Sequence, residues 1–89
     1  MIKTLTKEQL AKTIDQTLLR PITTIKNIEQ LCREAKKQHF AAVTVSPSFI
    51  ATTKNLLAGT DVKVCSVVGF PMGANAIETK VFEARDNVK

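Results

Sequence analysis

Apolar and polar positions alternate along the 89 residues with two different periods, and the switches between them divide the chain into elements. Ile25, Ile28, Leu31, Cys32 and Ala35 recur at helical spacing, with Lys26, Glu29, Arg33, Lys36 and Lys37 falling elsewhere, which predicts one amphipathic helix capped by Thr24. Phe40 to Val45 is short, mostly apolar and β-branched toward its end, the pattern of a strand covered on both faces. Ser46-Pro47 opens another helix, with serine as cap and proline at the first helical position, where its missing N–H costs nothing. The apolar positions of that helix are Phe49, Ile50, Thr53, Leu56 and Leu57, and Gly59 with Asp61 closes it. Val62 to Val68 is the clearest strand in the sequence. After a loop from Gly69 to Gly73, Asn75 and Glu78 have the spacing of a capping box. A last helix follows, with Ile77, Val81, Ala84 and Val88 on one face and Glu78, Lys80, Glu83 and Arg85 mostly toward solvent. At the front, Thr6 to Gln9 reads as a capping box starting a short helix through about Lys12. Thr13 to Leu18 is then extended, and Arg20-Pro21 stops it, because a residue before proline avoids the helical region.

The order is one helix, then strand and helix three times over. Such alternation implies right-handed βαβ units and a parallel sheet. Three parallel strands are few, since each outer strand presents an unpaired edge and both faces need cover. The architecture is that of part of something larger. Residues 1–89 are expected to form one partial domain without a linker, and a chain of this size buries only about 60–65% of its unfolded surface.

Composition narrows the functional classes. With 44% hydrophobic and 24% charged residues and no low-complexity run, the chain matches an ordinary soluble protein. No apolar stretch nears the roughly 18–20 residues needed to cross a bilayer, and MIKTLTKEQL lacks the apolar core of a secretory signal. Cys32 and Cys65 stand far apart without a neighbouring histidine, so neither a disulfide framework nor a zinc site is expected, and a reducing cytoplasm fits. Both read as small buried hydrophobes. The 13 basic and 8 acidic residues give a charge of +5, but the cations are scattered and do not alternate with aromatics. A solvated surface explains this better than a nucleic-acid footprint.

Lone candidate groups have plain readings too. Lys63 is the one lysine inside a predicted strand, near its N-terminal end, where a structural role fits. His39 follows a lysine-rich helix end and fits a capping role. The Gly69–Gly73 loop has too few glycines, wrongly spaced, for a dinucleotide or phosphate-binding loop. Asp15, on an apolar strand, fits a turn cap or a partner for a nearby basic group.

Three stretches taken together resemble one family. Ile14-Asp15-Gln16-Thr17-Leu18-Leu19-Arg20-Pro21 resembles the opening I-D-H-T-L-L-K-P of deoxyribose-phosphate aldolases. Phe40 to Ser48 is similar to that family's second strand and turn, and Asp61 to Asn75 to its third strand and following loop. The three occur in the family's order and spacing. The resemblance implies the first three strands of a (β/α)8 barrel, a fold of about 250 residues, with the chain stopping before the fourth strand.

The family reversibly cleaves 2-deoxy-D-ribose 5-phosphate to D-glyceraldehyde 3-phosphate and acetaldehyde through a lysine Schiff base, with neither metal nor organic cofactor. A desolvated lysine attacks the aldehyde, a second lysine helps keep it neutral, and a carboxylate moves protons. The resemblance puts all three groups, and the phosphate site, on later strands. It assigns Asp15 as the catalytic-network aspartate of the first strand, and Thr17, Thr44 and Phe70 as substrate-binding positions at the barrel mouth. Gln16 stands where histidine is usual, and Thr44 where many members have cysteine. The 89 residues alone are expected to be inactive. Their other reading is a self-associating scaffold, a homo-oligomer joined through strand edges and apolar helix faces; a small basic nucleic-acid binder rests on charge alone.

Overall fold

The computed structural model describes residues 4–20 and 22–88. Pro21, the expected stop after the first strand, lies outside them, as do the first three residues of the N-terminal stretch.

Each strand is short and each is followed by a helix. The order is α1 (Lys7–Ala11), β1 (Asp15–Leu18), α2 (Ile25–Gln38), β2 (Ala42–Val45), a 3₁₀ turn (Pro47–Phe49) running into α3 (Ile50–Leu56), β3 (Lys63–Cys65) and α4 (Ile77–Asn87). The strands form one parallel sheet in the order β1-β2-β3. Asp15 pairs with Ala42 and Thr17 with Thr44, while Ala42 pairs with Lys63 and Thr44 with Cys65. The chain thus has the α/β architecture of the first three units of a parallel barrel.

Local chemistry explains most boundaries. The Thr6 hydroxyl accepts from the Gln9 N–H at 3.1 Å and the Gln9 side chain accepts from the Thr6 N–H at 2.9 Å, completing the expected capping box. Thr24 and Asn27 make the same reciprocal pair at the start of α2. At the other end of α2, His39 adopts φ 57° and ψ 45°. Its N–H donates to the Lys36 carbonyl and that of Phe40 to the Ala35 carbonyl, a Schellman closure. Left-handed backbone costs a residue with a Cβ more than it costs glycine. His39→Gly is therefore expected to stabilise the chain by about 0.5–1 kcal/mol, seen as a higher urea midpoint with unchanged slope. An unchanged or lower midpoint would contradict this.

The core lies on one side of the sheet. Ile28, Leu31, Cys32 and Ala35 of α2 meet Val43 and Val45 of β2, with Leu57 and Val62 beside them and Leu18, Phe49 and Val64 packed around. All four residues of β2 are buried, as expected of the middle strand. Thr53 is also fully buried, but its hydroxyl has no hydrogen-bond partner among the described residues. An unsatisfied buried hydroxyl costs about 1–3 kcal/mol, so the near-isosteric Thr53→Val should raise stability by about 1 kcal/mol. Thermal unfolding by circular dichroism tests it; a lower melting temperature would show a partner for the hydroxyl.

Several expected details differ. β3 ends at Cys65 and not at Val68, because β2 ends at Val45 and the Ser66 hydroxyl donates to the Val45 carbonyl at 2.7 Å, in place of a backbone ladder bond. The Ser46 hydroxyl makes no cap; the Phe49 N–H instead donates to the Ser46 carbonyl at 2.9 Å, drawing the start of the helix into a 3₁₀ turn. The Asn75–Glu78 box is absent because α4 starts one residue later, with Ala76 at the cap. Cys65 is exposed, since alternation puts it on the uncovered face of the sheet, whereas Cys32 is buried as expected.

The faces of α4 are the largest difference. Its half-buried residues are the polar Lys80, Glu83 and Asn87, while Ile77 and Val88 are 72% and 86% exposed. The apolar stripe has no layer to enter; Ala84 and Val88 border an open groove shared with Ile50 and Lys54 of α3 and with β3. No helix among the described residues is long and apolar enough to cross a membrane.

Candidate active site

Alternation along the strands sorts the polar side chains by face. Leu18, Val43, Val45 and Val64 point toward the helices and the core. The register therefore sets Asp15, Ala42 and Lys63 in one row of the opposite face, and Thr17, Thr44 and Cys65 in the next row toward the strand C-termini. In parallel barrels, that end carries the chemistry.

Asp15 and Thr44 meet directly. The Thr44 hydroxyl lies 2.7 and 2.8 Å from the two carboxylate oxygens of Asp15 and donates to them. Thr44 is buried and Asp15 exposed, so the carboxylate is anchored on one side and accessible on the other. Thr17 stands on the same strand face as Asp15, and its hydroxyl donates to the Asp15 carbonyl at 3.2 Å. Phe70 stands apart, 53% exposed in the loop beyond β3. The structure thus gathers Asp15, Thr17 and Thr44 at two adjacent strands and leaves Phe70 on a separate loop.

Other charged groups lie off this cluster. Gln16 points to the helix side and donates to Glu34 of α2 at 2.6 Å, while its Oε1 is buried without a partner among the described residues. Lys63 begins β3 and is exposed on the open face. Lys12 pairs with Asp61 at 2.5 Å, and that hydrogen bond holds the Asp61 carboxyl below its ordinary range. Burial pushes the Cys32 thiol up, opposed by the charge of Lys36. Among the described residues, no three His, Cys, Asp or Glu side chains gather as a metal site.

One set of contacts escaped the sequence reading. Asn87 donates to the Val67 carbonyl at 3.1 Å, Glu83 accepts from the Gly69 N–H at 2.6 Å, and Lys80 donates to the Gly73 carbonyl at 3.0 Å. Spacings of three and four place these residues on one helix face, a signal present in the sequence but outweighed there by the apolar stripe.

The chain is thus a segment of parallel β/α-barrel type with a threonine-anchored carboxylate on its open face. No protein-family model matches it. It is 56% identical over 80 residues to a deoxyribose-phosphate aldolase of Thermoanaerobacter sp. (strain X514), covering 90% of this chain and 36% of that protein. Among solved structures, a protein assigned as a deoxyribose-phosphate aldolase in Coccidioides immitis superposes with a TM-score of 0.91 at 34% identity, covering 98% of this chain and 34% of that one. The tetrameric deoxyribose-phosphate aldolase of Aeropyrum pernix gives 0.85 at 36% identity, covering 93% and 36%. The chain is a homologue of the N-terminal third of deoxyribose-phosphate aldolases, and spans about a third of the length of the curated relatives it matches.

Proposed function

We propose that these 89 residues form one partial domain, the first three strand–helix units of a cytoplasmic deoxyribose-phosphate aldolase. The completed barrel would cleave 2-deoxy-D-ribose 5-phosphate reversibly to D-glyceraldehyde 3-phosphate and acetaldehyde. The 56% identity over 80 residues carries this reading. In it, Asp15 belongs to the hydrogen-bonded network of the catalytic centre, and Thr17, Thr44 and Phe70 line the substrate end.

The chemistry assigns different work to different parts of the barrel. A Schiff-base lysine must be desolvated to stay neutral and nucleophilic. Lys63 begins β3, at the end of the strand away from the C-terminal end where barrel chemistry sits. The nucleophile is therefore supplied by later strands, and Asp15, held by Thr44, orients that centre. The 89 residues alone are inactive.

The test joins this chain with the remaining two-thirds of the Thermoanaerobacter relative as a separate polypeptide. Cleavage of the sugar phosphate appears in the mixture and in neither part alone. Borohydride trapping with acetaldehyde then places the adduct on the added part. No activity in a folded mixture, or a single-site adduct on this chain alone, overturns the reading.

Exposed apolar residues favour a second property of the chain by itself. Ile77 and Phe82 of α4 and Val88 just after it are each more than two-thirds exposed, and among the described residues β1 and β3 each have an unpaired edge. Surfaces of this kind drive association, so the isolated chain forms a homo-oligomer. The tetrameric state of the Aeropyrum pernix relative supports oligomerisation. Light scattering showing a monomer at all concentrations would sink this.

A further inference from the structure

We propose that α4 clasps the β3–α4 loop through Lys80, Glu83 and Asn87, and that Glu83 is the positioning residue which sets this loop at the mouth of the barrel. The role at the mouth rests on the aldolase reading; the clasp itself does not.

The three contacts run in opposite order along loop and helix. Val67, Gly69 and Gly73 are met by Asn87, Glu83 and Lys80. The loop therefore climbs α4 toward its N-terminus with a side chain meeting its backbone at each stage. Its two ends are also joined, the Gly73 N–H donating to the Gly69 carbonyl at 2.6 Å. A backbone ring closed on itself and tied at three points has few alternative conformations.

Gly69 is the hinge of the arrangement. It is buried and holds φ +64°, a conformation glycine adopts without penalty. A Cβ there would lie 3.2 Å from both Cγ and Cδ of Lys80, so the loop backbone rests against the lysine stem. With Gly69 in this position its N–H meets a carboxylate oxygen of Glu83 at 2.6 Å, a charge-assisted bond of the stronger kind. Of the three contacts it is the only one made by an ionised acceptor, and it is made to the residue next to Phe70. Releasing it frees the segment that carries the aromatic ring at the mouth.

This also accounts for the polar face that α4 turns inward. Apolar side chains there could not satisfy the Val67 and Gly73 carbonyls or the Gly69 N–H, which strand pairing leaves free once β3 ends at Cys65.

Two readouts test the proposal. Amide hydrogen exchange by NMR on the 89-residue chain reads the clasp. Glu83→Ala speeds exchange at Gly69 about tenfold or more, a factor that equals roughly 1.4 kcal/mol of lost protection. Glu83→Gln, whose amide oxygen still accepts, keeps most of the protection, and Glu78→Ala on the exposed side of α4 keeps all of it. The Val43 and Val45 amides stay protected throughout, which separates loop release from unfolding. In the completed barrel, Glu83→Ala raises KM for the sugar phosphate more than it lowers kcat, and Glu83→Gln restores both. Unchanged exchange at Gly69 in Glu83→Ala overturns the clasp. Faster exchange with unchanged KM overturns the positioning role and leaves the aldolase reading standing. A wild-type chain that completes no active barrel overturns that reading and with it the role at the mouth, while exchange still decides the clasp.

Discussion

Ile28→Ala lowers the unfolding free energy of the chain by about 3–4 kcal/mol, the largest loss expected from a single truncation. Ile28 is fully buried in the cluster that α2 and β2 form with Leu57 and Val62. Removing three of its carbons forfeits their transfer free energy and leaves a void that flanking Val43 and Val45 cannot fill, since strand pairing fixes their backbone. Domains hold only about 5–15 kcal/mol in all, and one this small lies toward the low end. The melting temperature should drop by roughly 12–32 °C. Urea unfolding measures the change, and a loss below about 1 kcal/mol would mean that α2 does not pack on β2 as described.

Asp15→Asn has its large effect elsewhere. In the completed barrel it lowers kcat/KM about 10²-fold, the order expected when a group that orients the catalytic centre is lost. The substitution keeps size and shape. It removes the negative charge and puts an NH₂ where one carboxylate oxygen now accepts from Thr44 at 2.7 or 2.8 Å. In the chain alone it changes stability by less than about 1 kcal/mol, because Asp15 is exposed and a water can replace the lost contact. Measuring both quantities decides the matter. Equal losses in fold and activity would make Asp15 a structural residue, and an active Asn variant would remove it from the centre.

What the sequence showed plainly were features set by nearby residues. Thr6 with Gln9 and Thr24 with the start of α2 are local hydrogen-bonding arrangements, and both helices begin where those residues stand. The stripe Ile28, Leu31, Cys32 and Ala35 is buried because β2 lies under it. The parallel sheet followed from the alternation of strands and helices. Features that depend on a distant partner were less legible. β3 stops where β2 stops, which the run Val62 to Val68 does not encode. Ile77, Val81, Ala84 and Val88 have the spacing of a buried face, yet burial needs a second surface, and the loop's free backbone groups claimed the polar side of α4 instead. Of the candidate site, the residue types were readable. That Thr44 grips Asp15 across one register step, while Phe70 stands off on its own loop, required the sheet.

The one-sided core leaves the chain's two thiols in opposite conditions: Cys32 is sealed behind α2, and Cys65 is open on the bare face of β3. A maleimide or other thiol reagent will therefore tag a single sulfur in the folded chain. The rate of that tagging is a ready gauge of how much of the inner wall is still uncovered. It slows as further strands close around the face, and it does so before any turnover can be measured.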